Sequence, residues 1–508
     1  MYRASTQAGG DVPCGEHGGA AMLLKAIAPL TTDALQCTPR MPVPLSLAAA
    51  RPGGQRPVMA SGLSRRLFLG ALGAASMAPL VQACRAPAPT AEGPRPRREV
   101  TLQVIYPPTS DPDLDIFTRI FQRFEQMYPG YRINHDAAPI GHGAALAEKL
   151  ITQVAGGAPS DVSLIHPSWS VSLLSKGLFL QLDDIVKKDK ALQFDDILPY
   201  CLDFYRIEGR LYGLPYYSGP GMLFFNRSLF NKYGVKPPDQ YEREGRWTWE
   251  TFLEVTKALT HRTEHDPTYG YERVDQGLQW YLSVPVWAWG GELFNRDETE
   301  FRGHERAAVE ALQFQADLVT LHRVVPVGPE VQAIPAINSR RINSGRIGIQ
   351  YGGKFYVPDL KDVATFELGI APVPKGPAGR WTRDGNNGFG ILKDSKQHDD
   401  SYKLCAFMTQ WEGGAQILLE SGRPQPVRKS LYDNGTFRKL LLPWENYDTY
   451  VETARIVRVW RIPKAGPEVQ TLFDQQWNAV LRGEKSVQGA MNDLRGPMNE
   501  LLRRAQTA

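Results

Sequence analysis

Between residues 100 and 165 the spacing of apolar residues switches repeatedly between two periods, and that alternation leaves few folds open. In "VTLQVI" (100–105) Val100, Leu102 and Val104 recur at every second position, the period of a strand with one buried face. Asp111-Pro112 then supplies an N-cap and a first-turn proline. Leu114, Phe117, Phe121, Phe124 and Tyr128 follow at steps of three and four, one stripe of a helix that Pro129-Gly130 stops. "YRIN" (131–134) predicts a second strand. Ala144, Ala147, Leu150, Ile151 and Val154 predict a second helix, closed by Gly156-Gly157, and "DVSLI" (161–165) a third strand. Strand–helix–strand–helix–strand builds a parallel α/β sheet. Ligands on such sheets sit beyond the carboxyl ends of the strands. That directs attention to the loops after Ile105, Asn134 and Ile165, the last of which reads "HPSWS".

The chain has 508 residues, enough for two or more domains with real cores. Its whole net charge of +4 falls in residues 1–83, which hold seven basic and three acidic residues. The remaining body is balanced and carries no basic stripe. Nucleic acid is therefore not an expected partner, because phosphate contacts dominate such binding. Five cysteines occur without a C-x-x-C or a Cys/His cluster, so neither a structural zinc nor any other metal or cofactor is expected.

"SRRLFLGALGAASMAPLVQAC" (64–84) is the most apolar stretch. Its apolar run, Leu67 to Val81, is about 15 residues and contains Gly70, Gly73 and Pro79. A spanning helix needs roughly 20 apolar residues. A positive start, a short apolar middle and a small-residue end describe a secretory signal instead. Arg65-Arg66 resembles a twin-arginine export motif. "LVQAC" resembles a lipobox in which Cys84 receives lipid and tethers the protein to a membrane. Met59 opens a normal signal peptide. The expected organisation is a non-native extension at 1–58, a signal peptide at 59–83 and a Pro/Ala/Arg-rich tether at 84–98. The working protein is then exported and lipid-anchored at the periplasmic or extracellular face.

Further along come "KLITQVAGGAPSDVSLI" (149–165), "KGLFLQLDD" (176–184), "EGRLYGLPYYSGPGMLFFNRSLFNKYGVKPP" (208–238), "WTWETFLEVTKALT" (247–260), "VWAWGGELF" (286–294), "INSGRIGIQYGGKF" (342–355) and "GIAPVPKGPAGRW" (369–381). This ordered set resembles the extracellular solute-binding proteins of ABC importers, the large sugar-binding, maltose-binding-protein-like branch. The resemblance covers nearly all of 99–508. It implies an α/β, two-lobe periplasmic-binding clamshell of type II kind, each lobe a mixed, mainly parallel sheet flanked by helices. It places 99–216 and 389–440 in the first lobe and 217–388 and 441–508 in the second, with a hinge between. It implies a monomer that hands a carbohydrate to the transmembrane subunits of an ABC permease, with no catalysis.

Aromatic rings match the flat C–H faces of a sugar, and amide, carboxylate and guanidinium groups match its hydroxyls. On that chemistry Trp169, with Ser168 beside it, is a stacking platform after the third strand. Tyr216 and Tyr217 sit at the expected hinge crossing. Trp287 and Trp289, two apart, share one face if "VWAWGG" is a strand. Tyr351 stands where the family often carries a cleft aromatic, with Lys354 close by. Asn386 and Asn387 are hydroxyl binders or a plain turn. Arg423 contacts ligand or pins its loop. Trp247, Trp249, Trp411 and Trp477 read as packing. Cys201 and Cys405 are available for a disulfide in an oxidising compartment. Two alternatives stand beside this reading. One keeps the fold but takes a polyamine, metal or peptide. The other is an exported glycan-active enzyme, which needs two carboxylates such as Glu292 and Asp384 flanking the bond.

Overall fold

The computed structural model describes residues 99–107, 111–137, 144–166, 173–272, 281–337, 340–361, 365–460 and 463–507. The export motif at Arg65-Arg66, Cys84, and the pair Ser168 and Trp169 lie outside the described residues. Among the described residues no helix is long and apolar enough to cross a membrane.

The alternating N-terminal segment folds as its periods predict. Strand β1 is Val100–Ile105, the first helix Asp111–Met127, β2 Tyr131–Asp136, the second helix Ala144–Ala155 and β3 Val162–Ile165. A short hairpin, β4 (Arg206–Ile207) and β5 (Arg210–Leu211), leads into β6 (Leu214–Tyr217). The first sheet has the order β2-β1-β3-β11-β6, where β11 is Asn387–Ile391. β1 runs parallel to β2 and β3, whereas β11 runs antiparallel to β3 and β6. The second sheet, β10-β7-β9-β8, is built from β7 (Met222–Asn226), β8 (Tyr269–Glu272), β9 (Ile347–Gly352) and β10 (Leu368–Ala371). There β7 is antiparallel to β9 and β10, and only β8–β9 is parallel. Both sheets are thus mixed. Apart from the β4–β5 hairpin, each antiparallel pairing involves a strand next to a passage from one sheet to the other, and such a strand enters from the opposite side.

Each sheet has its own core. Phe117, Phe121 and Phe124 of the 111–127 helix pack on the first sheet with Val104, Leu164, Tyr216 and Phe389. Burying each such side chain stabilises the lobe by about 1.5–3 kcal/mol. One face of the second sheet packs against Trp249, Leu312, Trp287 and the C-terminal helices Gly466–Leu481 and Val487–Thr507 through Phe473, Trp477 and Met498. Its other face packs against Leu431, Tyr432, Phe437 and Tyr450. The segment from Leu431 to Phe437, expected with the first lobe, therefore packs on the second sheet. The apolar faces of its short helices match the open side of β7 and β9, a fact that chain order does not carry. Cys201 and Cys405 are buried free thiols.

Candidate functional site: the interlobe crossing and its cleft

Among the described residues the chain passes between the two sheets three times. Ser218–Gly221 joins β6 to β7, residues 372–386 join β10 to β11, and residues 421–428 join the helices Gln416–Glu420 and Lys429–Asp433. The three passages meet. The Gly385 amide donates to the Gly219 carbonyl (3.1 Å), the Gly221 amide to Arg383 (2.8 Å) and the Gln425 amide to Ser218 (2.7 Å). At the junction lies Asp384, fully buried. Its carboxylate accepts from the Gly219 amide at 2.6 Å and from the Ser218 hydroxyl at 3.2 Å. Burial pushes this carboxyl up to about 7, against the pull of those two hydrogen bonds and of Arg383. Arg383 is itself buried, which lowers it to about 10.

Two aromatic rings, one from each sheet, flank this junction. A Cβ built on Gly219 would lie 3.2 Å from the Tyr217 ring and 3.3 Å from the Phe355 ring. Tyr217 ends β6, Phe355 follows β9, and both are half-buried. Gly219 is glycine because these rings close on the backbone. Arg423, on the third passage, reaches Asp113 in the first turn of the 111–127 helix at 3.2 Å. Burial raises the Tyr217 phenol well above its usual value, while Arg423 beside it pulls the other way and Asp113 adds to the rise. The neighbouring Asn387 is half-buried, and its side-chain oxygen has no hydrogen-bond partner among the described residues. Tyr217, Phe355, Asp113, Arg423 and Asn387 thus form a mixed aromatic and polar surface at the amino end of β11, beyond the carboxyl end of β6.

The other expected site residues go elsewhere. Tyr216 is buried, stacked on Phe389 (5.0 Å) and edge-on to Phe117 (5.5 Å) in the first core. Asn386 is wholly buried; it accepts from the Tyr205 hydroxyl (2.6 Å) and donates to the Cys201 carbonyl (3.1 Å). Lys354 is buried against Glu445 at 2.5 Å, and Glu445 also accepts from Tyr450. Burial lowers the Lys354 ammonium while Glu445 raises it. Tyr351 is buried beneath Gly221, where any Cβ would overlap its hydroxyl, and burial pushes the phenol up to about 12. Trp287 and Trp289 are not on a strand. Trp287 lies in the helix Ser283–Ala288 and Trp289 caps it, so the two rings diverge. Trp287 lies near Trp460 with the Arg458 guanidinium 5.1 Å over its ring; Trp289 meets Trp249 and Phe314. A two-residue spacing gives one face only in a strand, and the apolar run here is followed on all sides by helices that can bury both rings.

Of the residues the spacing did not single out, Asp113 is the chief omission. Its signal was an acid in the first turn of a helix that follows a strand. The two carboxylates considered for an enzyme are separately engaged: Glu292 pairs with Arg458, and Asp384 lies inside the crossing. Among the described residues no group of three His, Cys, Asp or Glu side chains could hold a metal ion.

Two mixed sheets joined by three passages, with a polar and aromatic cluster at the junction, define a two-lobe binding protein of the clamshell class. Residues 109–415 match the family of bacterial extracellular solute-binding proteins, and the chain belongs to that family. The family is one of binding proteins, not of enzymes. A Brucella abortus protein named only as a binding protein is 23% identical over 310 residues, 60% of this chain and 71% of the relative. The lactose-binding protein of Rhizobium radiobacter is 26% identical over 215 residues, 41% of this chain and 48% of the relative. Among solved structures, an ABC substrate-binding protein of Listeria monocytogenes in complex with cycloalternan superposes with a TM-score of 0.68 at 20% identity. That match covers 80% of this chain and 99% of the other. UgpB of Mycobacterium tuberculosis, in complex with glycerophosphocholine, gives 0.66 at 18% identity, over 81% and 99% of the two chains.

Proposed function

We propose that this protein captures a carbohydrate between its two lobes and delivers it to the permease of an ABC importer. The observation that carries the reading is the pair of rings Tyr217 and Phe355, one from each lobe, beside the Asp113–Arg423 pair. Rings stack on C–H faces, and a carboxylate and a guanidinium take hydroxyls as acceptor and donor. The two cations that act on Tyr217 already have carboxylate partners, Arg423 with Asp113 and Arg340 with Asp359. That balance favours an uncharged ligand over a phosphorylated one. The bound sugars of the similar structures support the same class. Trp169 and Ser168, next after β3, belong to the same reading as a first-lobe wall. The export signal at Arg65-Arg66 and lipid on Cys84 would hold a monomer at the outer face of the membrane.

The test is a thermal-shift panel of cycloalternan, maltose, lactose, tagatose, glycerophosphocholine, spermidine and divalent metals, with product analysis for each glycan. A ligand at 100-fold its Kd stabilises by about 2.7 kcal/mol. A sugar shift that vanishes in Tyr217→Ala, with the sugar recovered intact, is the expected result. A shift confined to glycerophosphocholine, spermidine or a metal would overturn the carbohydrate assignment, and sugar cleavage would overturn the binding-only role.

A further inference from the structure

Asp384 is placed where a side chain can act on the motion of the lobes rather than on the ligand. Its carboxylate belongs to the second passage and holds the backbone of the first, through the Gly219 amide and the Ser218 hydroxyl. Ser218 in turn receives the Gln425 amide of the third passage, and its hydroxyl lies 2.9 Å from that of Tyr200. One acid therefore ties the passages together at their meeting point. Glycines 219, 221 and 385 flank it, and they allow the backbone rotations that lobe movement needs.

The groups that face this acid are Tyr200, Cys201 and Tyr205 from below β6, Tyr217 from β6 itself, Tyr351 from β9, Tyr432 from the 429–433 helix and Arg383 on its own passage. Burial raises every one of those phenols and the thiol, so they stay neutral at ordinary pH. Arg383 stays charged. Among these neighbours the group that changes charge between pH 6 and 8 is Asp384 itself. Ionisation of a carboxyl held out of water favours any opening that hydrates it.

We propose that Asp384 is a positioning residue of the hinge: as the neutral acid it lets the passages stay closed over it, and its ionisation loosens them. The inference rests on the two-lobe reading but not on the identity of the ligand.

Hydrogen exchange on the full, ligand-free chain, read by mass spectrometry with fragments resolving the Gly219, Gly385 and Gln425 amides, tests it. Rates are corrected for the intrinsic pH dependence of exchange. Protection at all three amides is expected to fall together by about fivefold from pH 6 to pH 8. Asp384→Asn should stay at the low-pH value throughout. Ser218→Ala removes a bond that stabilises the ionised form, so it should move the midpoint to higher pH; it serves if the Asn variant does not fold. Flat protection in the wild type overturns the proposal. So does a change at Gly219 alone, an unaltered profile in Asp384→Asn, or an unmoved midpoint in Ser218→Ala. Because no sugar is present, this result is separate from the outcome of the ligand panel.

Discussion

Asp384 and Glu445 are both buried carboxylates, one at the junction between the lobes and one on the outer side of the second. Glu445 meets the Lys354 ammonium at 2.5 Å and also takes the Tyr450 hydroxyl and the Leu442 amide. Among the described residues Asp384 makes no ion pair of that kind. It accepts from an amide and a hydroxyl and has Arg383 only as a neighbour along the chain. A buried charge with a countercharge is held in one state. A buried charge held by neutral donors is poised between two. The difference teaches that the outer brace is built for rigidity, whereas the junction is built from parts that can change.

The largest expected effect is on the brace. Lys354→Met or Glu445→Gln leaves one buried charge alone and should cost about 3–5 kcal/mol in urea unfolding at pH 8. Asp384→Asn should cost less than about 1 kcal/mol under the same conditions, since it removes a buried charge rather than stranding one. Equal costs would break the comparison. Next comes Gly221→Ala, whose Cβ overlaps the Tyr351 ring. A loss of about 1–3 kcal/mol is expected, largely recovered when Tyr351→Ala is added. An additive double variant would show that the two do not share that space.

The pH dependence sharpens the contrast further. Burial raises Asp384 to about 7, so the folded protein favours its protonated form. Its contribution to stability is full below the unfolded value of about 3.9 and is lost as pH rises through about 7. Denaturation midpoints should therefore show a falling component between pH 4 and 8 that Asp384→Asn removes. A component of the same size in the variant would assign it to other groups. Arg423→Ala should likewise have only a small effect on stability. Its pair with Asp113 is partly exposed, so the cost is about 1 kcal/mol or less. The same substitution should abolish the sugar-dependent thermal shift. Retention of the shift would leave Arg423 as a loop fastener only.

The early alternation was fully legible. β1, β2, β3 and the two helices between them fall where the apolar periods put them, because each element is set by residues within a few positions of one another. The quoted segments from 149 to 381 were enough for the fold family. The cleft was legible as a neighbourhood, at Tyr216-Tyr217, 351–355, 386–387 and Arg423, but not side chain by side chain. The shared face considered for Trp287 and Trp289 required a strand, whereas Ser283–Ala288 is a helix, a distinction that a run of apolar residues without a period does not carry.

What the sequence by itself determined was the set of elements, their order and the family, since those depend on local spacing and on a long ordered series of segments. Only the tertiary structure decided which member of each adjacent pair meets the cleft. Tyr217, Phe355 and Asn387 lie half-buried at the lobe junction, while Tyr216, Lys354 and Asn386 are buried among partners. The choice for Asn387 turns on a register shift beside Gly388, and the choice for Lys354 on Glu445, 91 positions away. Side chains one residue apart point to opposite faces, so a single register step or one distant countercharge selects between them.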